Sequence, residues 1–188
     1  MIKSLFKLFC IAIVSITFVQ CGNGNTFTVA KGKVGSLSTK TTIHELNSIF
    51  KNDSIVKNLS EGSLGDNYFQ DDDEYLIYEK GGAHLMTIIP KEQLDSTSTI
   101  KSIQLFDKRF KTKTGLSLAS SFEEINLNNK ISKVETSLNS ATFFIDDLNV
   151  TLAYDKVELG LREFSTQKIS LNQIPDIAKM RSYIVWFN

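Results

Sequence analysis

The chain has 188 residues, 41% of them hydrophobic and 22% charged, with 21 Lys or Arg, 21 Asp or Glu, two Cys and two Pro. This length predicts one domain, or two small halves that share a core, and this composition excludes a wholly disordered chain. The charge balance argues against nucleic-acid binding, because a protein that neutralises phosphates needs a clustered excess of Lys and Arg. We therefore expect a folded, near-neutral protein with no nucleic-acid partner.

Residues 1–20 are typical of a secretory signal peptide. Lys3 and Lys7 precede an apolar run of twelve residues at 8–19. A membrane-spanning helix needs about 20 apolar residues and a signal-peptide core needs about 7–15, so the run fits a signal peptide. The alternative, a buried N-terminal helix, leaves the basic residues before a short apolar core without an explanation.

Cys21 lies two residues after the end of the apolar run, and a Gly/Asn stretch follows it at 22–25. This arrangement resembles the lipobox of bacterial lipoproteins, with Phe18, Val19 and Gln20 in place of the common Leu and small residues, a departure that Bacteroidetes-type lipoboxes tolerate. The resemblance implies that Cys21 is acylated and that residues 21–26 are the lipidated cysteine and its tether. Cleavage before Cys21 would discard Cys10 and both lysines of the signal peptide, leaving 168 residues with a net charge of −2.

The same resemblance implies a location. Gly22 stands where an Asp would retain a lipoprotein in the inner membrane, and residues 22–26 lack the Lys-acid-acid signal for surface export. Two or more acyl chains anchor a protein stably, at about 0.8 kcal/mol per buried CH₂. We expect the protein on the periplasmic face of the outer membrane, held there by the acyl chains on Cys21; an orientation toward the cell surface stays open.

The first part of the mature chain predicts a short strand at 27–30, a helix and then strands. Thr42 and Glu45 form a capping box, and the helix that follows places four apolar residues on one face: Ile43, Leu46, Ile49 and Phe50. Predicted strands follow at 74–80, 84–89 and 100–106. Gly81 and Gly82 predict a tight hairpin between the first two, because Gly readily adopts positive φ.

The second part repeats this plan. Ser121 and Glu124 form another capping box, and strands are predicted at 133–138, 142–145, 149–154 and 183–187, with a turn at Asp146 and Asp147. Residues 42–46 match 121–125 at an offset of 79, and residues 103–106 match 183–186 at an offset of 80. These matches favour an internal duplication, although helix–hairpin units also recur by chance.

We therefore predict one compact α+β domain at 27–188 with antiparallel pairing. It would consist of two tandem halves, each a helix followed by an antiparallel meander, at about 27–110 and 111–188. This plan is similar to the BamE-like and β-lactamase-inhibitor-like folds, which bind other proteins.

Several segments resemble the RpoE-regulated lipoprotein family, a family of Gram-negative envelope proteins without an assigned activity. They cover most of the mature chain in order, at 34–42, 75–90, 100–107, 114–118 and 180–187. The resemblance implies an outer-membrane lipoprotein linked to envelope homeostasis.

The strongest polar cluster is the acidic run at 70–74, which Asp66 and Asn67 precede. Carboxylates in one loop can hold Ca²⁺, but this spacing is not that of a calcium loop, and consecutive residues near a strand point in alternating directions. We predict a solvated acidic turn before Tyr75, and leave open whether residues 71–74 bind a cation.

The chain has two histidines, His44 and His84, and neither belongs to a recognisable reactive group. Zinc needs three or four Cys, His or acidic ligands, and a catalytic Ser needs a positioned base. We predict solvated or surface histidines, no metal, no cofactor and no enzymatic activity. The glycine pairs Gly32/Gly35 and Gly62/Gly65 lack the Lys-Ser/Thr ending of a phosphate loop and predict turns.

Five aromatic residues are predicted to lie in the sheet core: Phe143, Phe144, Tyr154, Trp186 and Phe187. Neighbours on a strand point to opposite faces, so one member of an adjacent pair such as Phe143/Phe144 can form an exposed patch where a partner binds.

Our first hypothesis is a non-enzymatic, lipid-anchored protein that binds or scaffolds another envelope protein, whose identity the sequence does not give. The alternative is a periplasmic small-ligand-binding or hydrolytic protein that uses a groove between the two halves. A deep pocket lined by His84 and the acids of residues 71–74 would favour this alternative.

Overall fold

The computed structural model describes residues 26–60, 72–162, 164 and 169–188. The predicted signal peptide, the predicted lipidation site Cys21, the Gly62/Gly65 pair and the acidic run before Asp72 lie outside the described residues. None of the helices in the described ranges has the length and apolar character needed to cross a membrane.

The chain first forms a small antiparallel sheet of three two-residue strands: β1 (Val29–Ala30), β2 (Lys33–Val34) and β3 (Leu37–Ser38). Gly32 lies in the turn between β1 and β2 with φ at +63°, and a Cβ there would meet the side chain of Thr39 at 2.8 Å. The prediction of a turn at Gly32 and Gly35 is therefore confirmed, and Gly32 is required both for its backbone angle and for its small size.

Eight strands form the central antiparallel sheet, in the order β4-β5-β6-β7-β11-β10-β9-β8. They are β4 (Ser54–Asn58), β5 (Glu74–Tyr78), β6 (His84–Pro90), β7 (Ile100–Leu105), β8 (Lys133–Thr136), β9 (Ser140–Ile145), β10 (Val150–Asp155) and β11 (Ser182–Trp186). Strands β4 to β7 form one meander and β8 to β11 form a second, and the two join where β7 pairs with β11. The predicted α+β class with antiparallel pairing is confirmed.

Two short α-helices precede the meanders: α1 (Leu46–Ile49), which continues a 3₁₀ turn at Ile43–Glu45, and α2 (Phe122–Asn128). Both predicted capping boxes are present. The Glu45 carboxylate accepts a hydrogen bond from the Thr42 N–H at 2.7 Å, and the Glu124 carboxylate accepts one from the Ser121 N–H at 2.9 Å. These contacts satisfy backbone donors that the first helical turn leaves without partners.

One face of the central sheet forms the core. A row of directly paired residues crosses all eight strands on this face: Ile55, Ile77, Met86, Leu105, Tyr183, Leu152, Phe143 and Val134. The six central residues of the row are at most 3% exposed. Helix α2 covers this face, because the Phe122 ring lies 5.8 Å from the Phe143 ring. Each large side chain buried here contributes about 1.5–3 kcal/mol.

Two tyrosine hydroxyls in this core, those of Tyr154 and Tyr183, have no hydrogen-bond partner in the described structure. Both residues are 0% exposed, and burial raises the pKa of each phenol. On folding, a buried hydroxyl without a partner loses its hydrogen bonds to water and forms none within the protein. This loss lowers the stability of the folded state.

We expect Tyr154→Phe and Tyr183→Phe each to raise the free energy of unfolding by about 1 kcal/mol, because each removes an unsatisfied polar group without changing the packing. Urea denaturation measures this change, and the half-buried Tyr78, changed to Phe, serves as the control with little effect. A clear loss of stability in either core variant would show that its hydroxyl does have a partner.

Candidate functional site

The second face of the central sheet is not covered by the described helices, and we call it the open face. Its middle row alternates with the core row and again crosses all eight strands: Val56, Leu76, Thr87, Gln104, Ile184, Thr151, Phe144 and Lys133. Most of these side chains are partly exposed, whereas Thr87 and Thr151 are 7% and 8% exposed. The row mixes aliphatic, aromatic and hydroxyl groups, which is the composition of a surface that another protein can cover.

An aromatic patch lies on the open face of the second meander. Phe144 and Trp186 border a depression of about 340 Å³, and Thr151 lies between them. The Trp186 indole donates a hydrogen bond to the Thr151 hydroxyl at 3.1 Å, which fixes the ring, and the Lys133 ammonium lies 5.4 Å from the centre of the Phe144 ring. Two rigid aromatic rings and a cation are therefore held together at the surface.

This patch confirms one expectation and corrects another. Phe143 and Phe144 point to opposite faces, as alternation along a strand requires, and Phe143 is 0% exposed. Tyr154 and Phe187 are buried as predicted. The prediction that Phe144 and Trp186 belong to the core is wrong, because both lie partly exposed on the open face.

His84 lies between two aromatic rings at the start of β6. Its ring stacks on Phe106 at 4.0 Å and on Tyr78 at 4.7 Å, and its Nε2 is 3.2 Å from the Thr87 hydroxyl. Burial lowers the pKa of His84, which a contact with the Met86 backbone offsets in part. Both histidines lie at the surface, as predicted: His44 is exposed, and His84 is half-buried between its two aromatic neighbours at the edge of a groove.

We call the end of the central sheet at which β5, β7, β8 and β10 finish the tether end, and the opposite end the far end. A groove of about 470 Å³ lies at the tether end between the two parts of the chain, lined on one side by Ala83, His84, Phe106, Asp107 and Lys108 and on the other by Leu118 and Ala119. The Asp107 carboxylate in this groove accepts hydrogen bonds from Arg109 at 2.9 and 2.7 Å. The groove thus holds one histidine and one carboxylate that is already paired.

The N-terminal part of the chain meets the sheet through a clamp around Phe27, also at the tether end. The Phe27 ring packs edge-on against Phe110 at 5.0 Å, and the Arg109 guanidinium lies 4.2 Å from the centre of the Phe27 ring. Arg109 also donates two hydrogen bonds to Glu79, at 3.0 and 2.8 Å. The hydrogen bonds that Arg109 donates to each carboxylate lower the pKa of Glu79 and the pKa of Asp107. All three groups of the clamp therefore stay charged.

Asp73 corrects the prediction of a solvated acidic turn. It is 0% exposed, and its Oδ1 accepts hydrogen bonds from the Ser60 N–H at 2.8 Å and the Ser60 hydroxyl at 2.9 Å. Its Oδ2 accepts a third from the Leu94 N–H at 2.6 Å. Asp72 lies nearby, partly exposed and 3.7 Å from the Lys101 ammonium. Asp73 therefore joins two loops to the start of β5 and is not available to a ligand.

The structure does not bring His84 and the described acids of residues 72–74 together. His84 pairs with Tyr78 at one end of β5, and Asp73 precedes the other end, about 16 Å away at the usual rise along a strand. In the ranges that the structure describes, no three His, Cys, Asp or Glu side chains form a group that could hold a metal ion. These described residues therefore do not form the polar pocket that would have favoured the alternative.

The sequence predicted one feature of this site and gave no indication of another. Alternation along β9 predicted the exposed Phe144, but nothing in the sequence near His84 indicates that Phe106 covers its ring. The contact depends on the β5–β6 and β6–β7 pairings, which bring residues 78, 84 and 106 together from three strands.

Comparison with known proteins gives a fold but no family. No protein-family model matches the chain, and no curated protein matches it. The chain is similar to the crystal structure of the uncharacterized protein yfeY from Escherichia coli, with a TM-score of 0.56 and 14% sequence identity over 85% of this chain and 99% of that chain. At this identity the likeness concerns the fold alone, a mixed α and β arrangement around a mostly antiparallel sheet.

Proposed function

We propose that this protein is a lipid-anchored lipoprotein of the bacterial envelope that binds another envelope protein through its open face and has no enzymatic activity. The observation that carries the binding role is the aromatic patch of Phe144 and Trp186 on a sheet face that no described helix covers. Aromatic residues are enriched in protein interfaces, because they bury a large area at a low cost in conformational entropy.

The sequence before the described fold supports the proposed anchor. Cys21 follows a short apolar run with basic residues in front of it, and the described fold begins at Thr26, only five residues later. Acyl chains on Cys21 would hold the domain at the periplasmic face of the outer membrane. We also propose membership of the RpoE-regulated lipoprotein family, on the strength of the segments that resemble it.

We further propose that the domain consists of two tandem halves, each a helix followed by a four-stranded meander. Thr42 bridges to Thr99 and Ser121 bridges to Lys179, so each capping box contacts the segment before the last strand of its own half. Gln104 pairs directly with Ile184, which lies 80 positions later, at the join between the meanders. A two-fold relation between the halves would place equivalent residues opposite each other at this point.

Photo-crosslinking in intact envelopes tests the binding role. A photoreactive phenylalanine analogue at position 144 should form a discrete adduct with one envelope protein, since the side chain faces the proposed partner. The matched control places the analogue at Leu127, which is 75% exposed on α2, away from the open face. Trp186→Ala should weaken the adduct at position 144. Identical adducts from both positions, or none from position 144 in a protein of normal abundance, would contradict the proposal.

A further inference from the structure

We propose that the tether end of the sheet lies against the bilayer that holds the lipid anchor, and that Phe106 and Val157 enter the lipid interface there. The inference rests on the proposed lipidation of Cys21. The partner that we propose for the tether end is a phospholipid surface.

The length of the chain before the fold restricts which end can face the membrane. Five residue steps separate Cys21 from Thr26, which span at most about 18 Å when fully extended. Phe27 is clamped at the tether end, so this end must lie within that distance of the lipid. The six-residue strands alone are about 20 Å long, so the far end lies beyond the reach of the tether.

Four of the large apolar side chains that are exposed in the described ranges lie at the tether end, on four separate segments. They are Phe106, Leu138, Val157 and Ile177, which are 40%, 71%, 60% and 80% exposed. Leu138 and Val157 are neighbours in space, because the ammonium of Lys156 donates to the Leu138 carbonyl at 3.0 Å. The segment of Ile177 lies beside the loop that contains Val157, since the Lys179 N–H approaches the Glu158 carboxylate at 3.4 Å.

Basic side chains accompany these apolar groups. Lys80, Lys108 and Lys179 are exposed at the same end, beside exposed acids at Glu158 and Asp176. Lysines next to apolar residues suit a bilayer interface, because their stems lie along lipid while the ammonium groups reach the headgroups. Basic groups near an anionic lipid surface are attracted to it. The far end differs only in part: the β9–β10 turn begins there with the exposed acids Asp146 and Asp147, but Leu59 and Leu94 are also exposed near Asp73, at 39% and 49%.

Spin labels can measure this contact in the acylated full-length mature protein, reconstituted in vesicles of phosphatidylethanolamine and phosphatidylglycerol. Acylated Cys21 offers no thiol, so a single cysteine can be introduced as Phe106→Cys, Val157→Cys or, as the matched control at the far end, Asp147→Cys. We expect the labels at positions 106 and 157 to collide with a water-soluble nickel chelate severalfold less often than the label at position 147, and more often with oxygen.

The outcomes separate this inference from the proposed anchor. Equal nickel accessibility at all three positions, in protein that floats with the vesicles, would overturn the membrane contact and leave the anchor intact. Protein that does not float would overturn both. Dipolar broadening between labels at position 157 would show that a second copy covers the surface, which also overturns the contact. Val157 makes no part of the His84 stack, so its label gives a result even if Phe106→Cys disturbs folding.

Discussion

Replacement of Cys21 by Ala is expected to remove the protein from the outer-membrane fraction and to abolish its labelling by palmitate. Each acyl CH₂ that enters the bilayer contributes about 0.8 kcal/mol, so the loss of two or more chains removes most of the binding energy. The membrane contact that we propose for Phe106 and Val157 involves too few apolar side chains to hold the domain by itself. Fractionation of envelopes on a density gradient, with detection of the protein in each fraction, measures the change.

Cys10→Ala is the matched control, because Cys10 lies within the apolar run of the predicted signal peptide and would be absent from the mature protein. It should leave both the distribution and the palmitate labelling unchanged. A Cys21→Ala protein that still sediments with the outer membrane would show that the lipoprotein interpretation is wrong. Loss of labelling in both variants would point to a folding or export defect.

Replacement of Asp73 by Asn is expected to lower the free energy of unfolding by about 3 kcal/mol. The carboxylate accepts three hydrogen bonds from Ser60 and Leu94 in a fully buried position. An amide of the same shape has one acceptor oxygen, and its NH₂ group would face a backbone or hydroxyl donor. Urea denaturation near neutral pH measures the loss, and Asp147→Asn on the exposed turn is the control.

The effect of Asp73 should also depend on pH. Burial opposes ionisation of this carboxyl, but the hydrogen bonds from Ser60 and Leu94 outweigh it, so its pKa in the fold is lowered. A carboxyl with a lowered pKa contributes stability that is fully present above the pKa of the unfolded chain, about 3.9, and that is lost as the pH falls through the lower value of the fold.

The difference in stability between the wild type and Asp73→Asn should therefore shrink below about pH 4. A difference that stays constant down to pH values where carboxylates protonate would mean that the charge of Asp73 contributes nothing to the fold. Asp147→Asn, compared with the wild type over the same pH range, is the control for the loss of an exposed side chain's charge.

The features predicted best from the sequence are those that depend on residues close together in the chain. Both capping boxes join residues three apart, and the hairpin at Gly81 and Gly82 depends on the φ values of those two residues, +115° and +92°. Such short-range preferences depend on neighbouring residues and not on the rest of the fold. They were sufficient for the helices, for the hairpin and for the antiparallel class.

The features that were missed depend on distant partners. β4 is an edge strand with exposed Ser54, Val56 and Lys57, so it lacks the apolar alternation that marks a half-buried strand. The burial of Asp73 was missed because its partners, Ser60 and Leu94, lie 13 and 21 residues away in the sequence. Neither partner belongs to a motif that would indicate the contact. The enclosure of His84 likewise depends on the pairing of three strands.

The clamp around Phe27 has a mechanical consequence. The Phe27 carbonyl accepts a hydrogen bond from Lys111 at 2.9 Å, and the Val29 N–H donates one to the Lys111 carbonyl at 2.8 Å. A force on the N-terminus would load both bonds together, and through Arg109 it would also reach Glu79 at the end of β5. Because Val29 is the first residue of β1, a pull on the N-terminus would be shared between the Lys111 backbone and this strand.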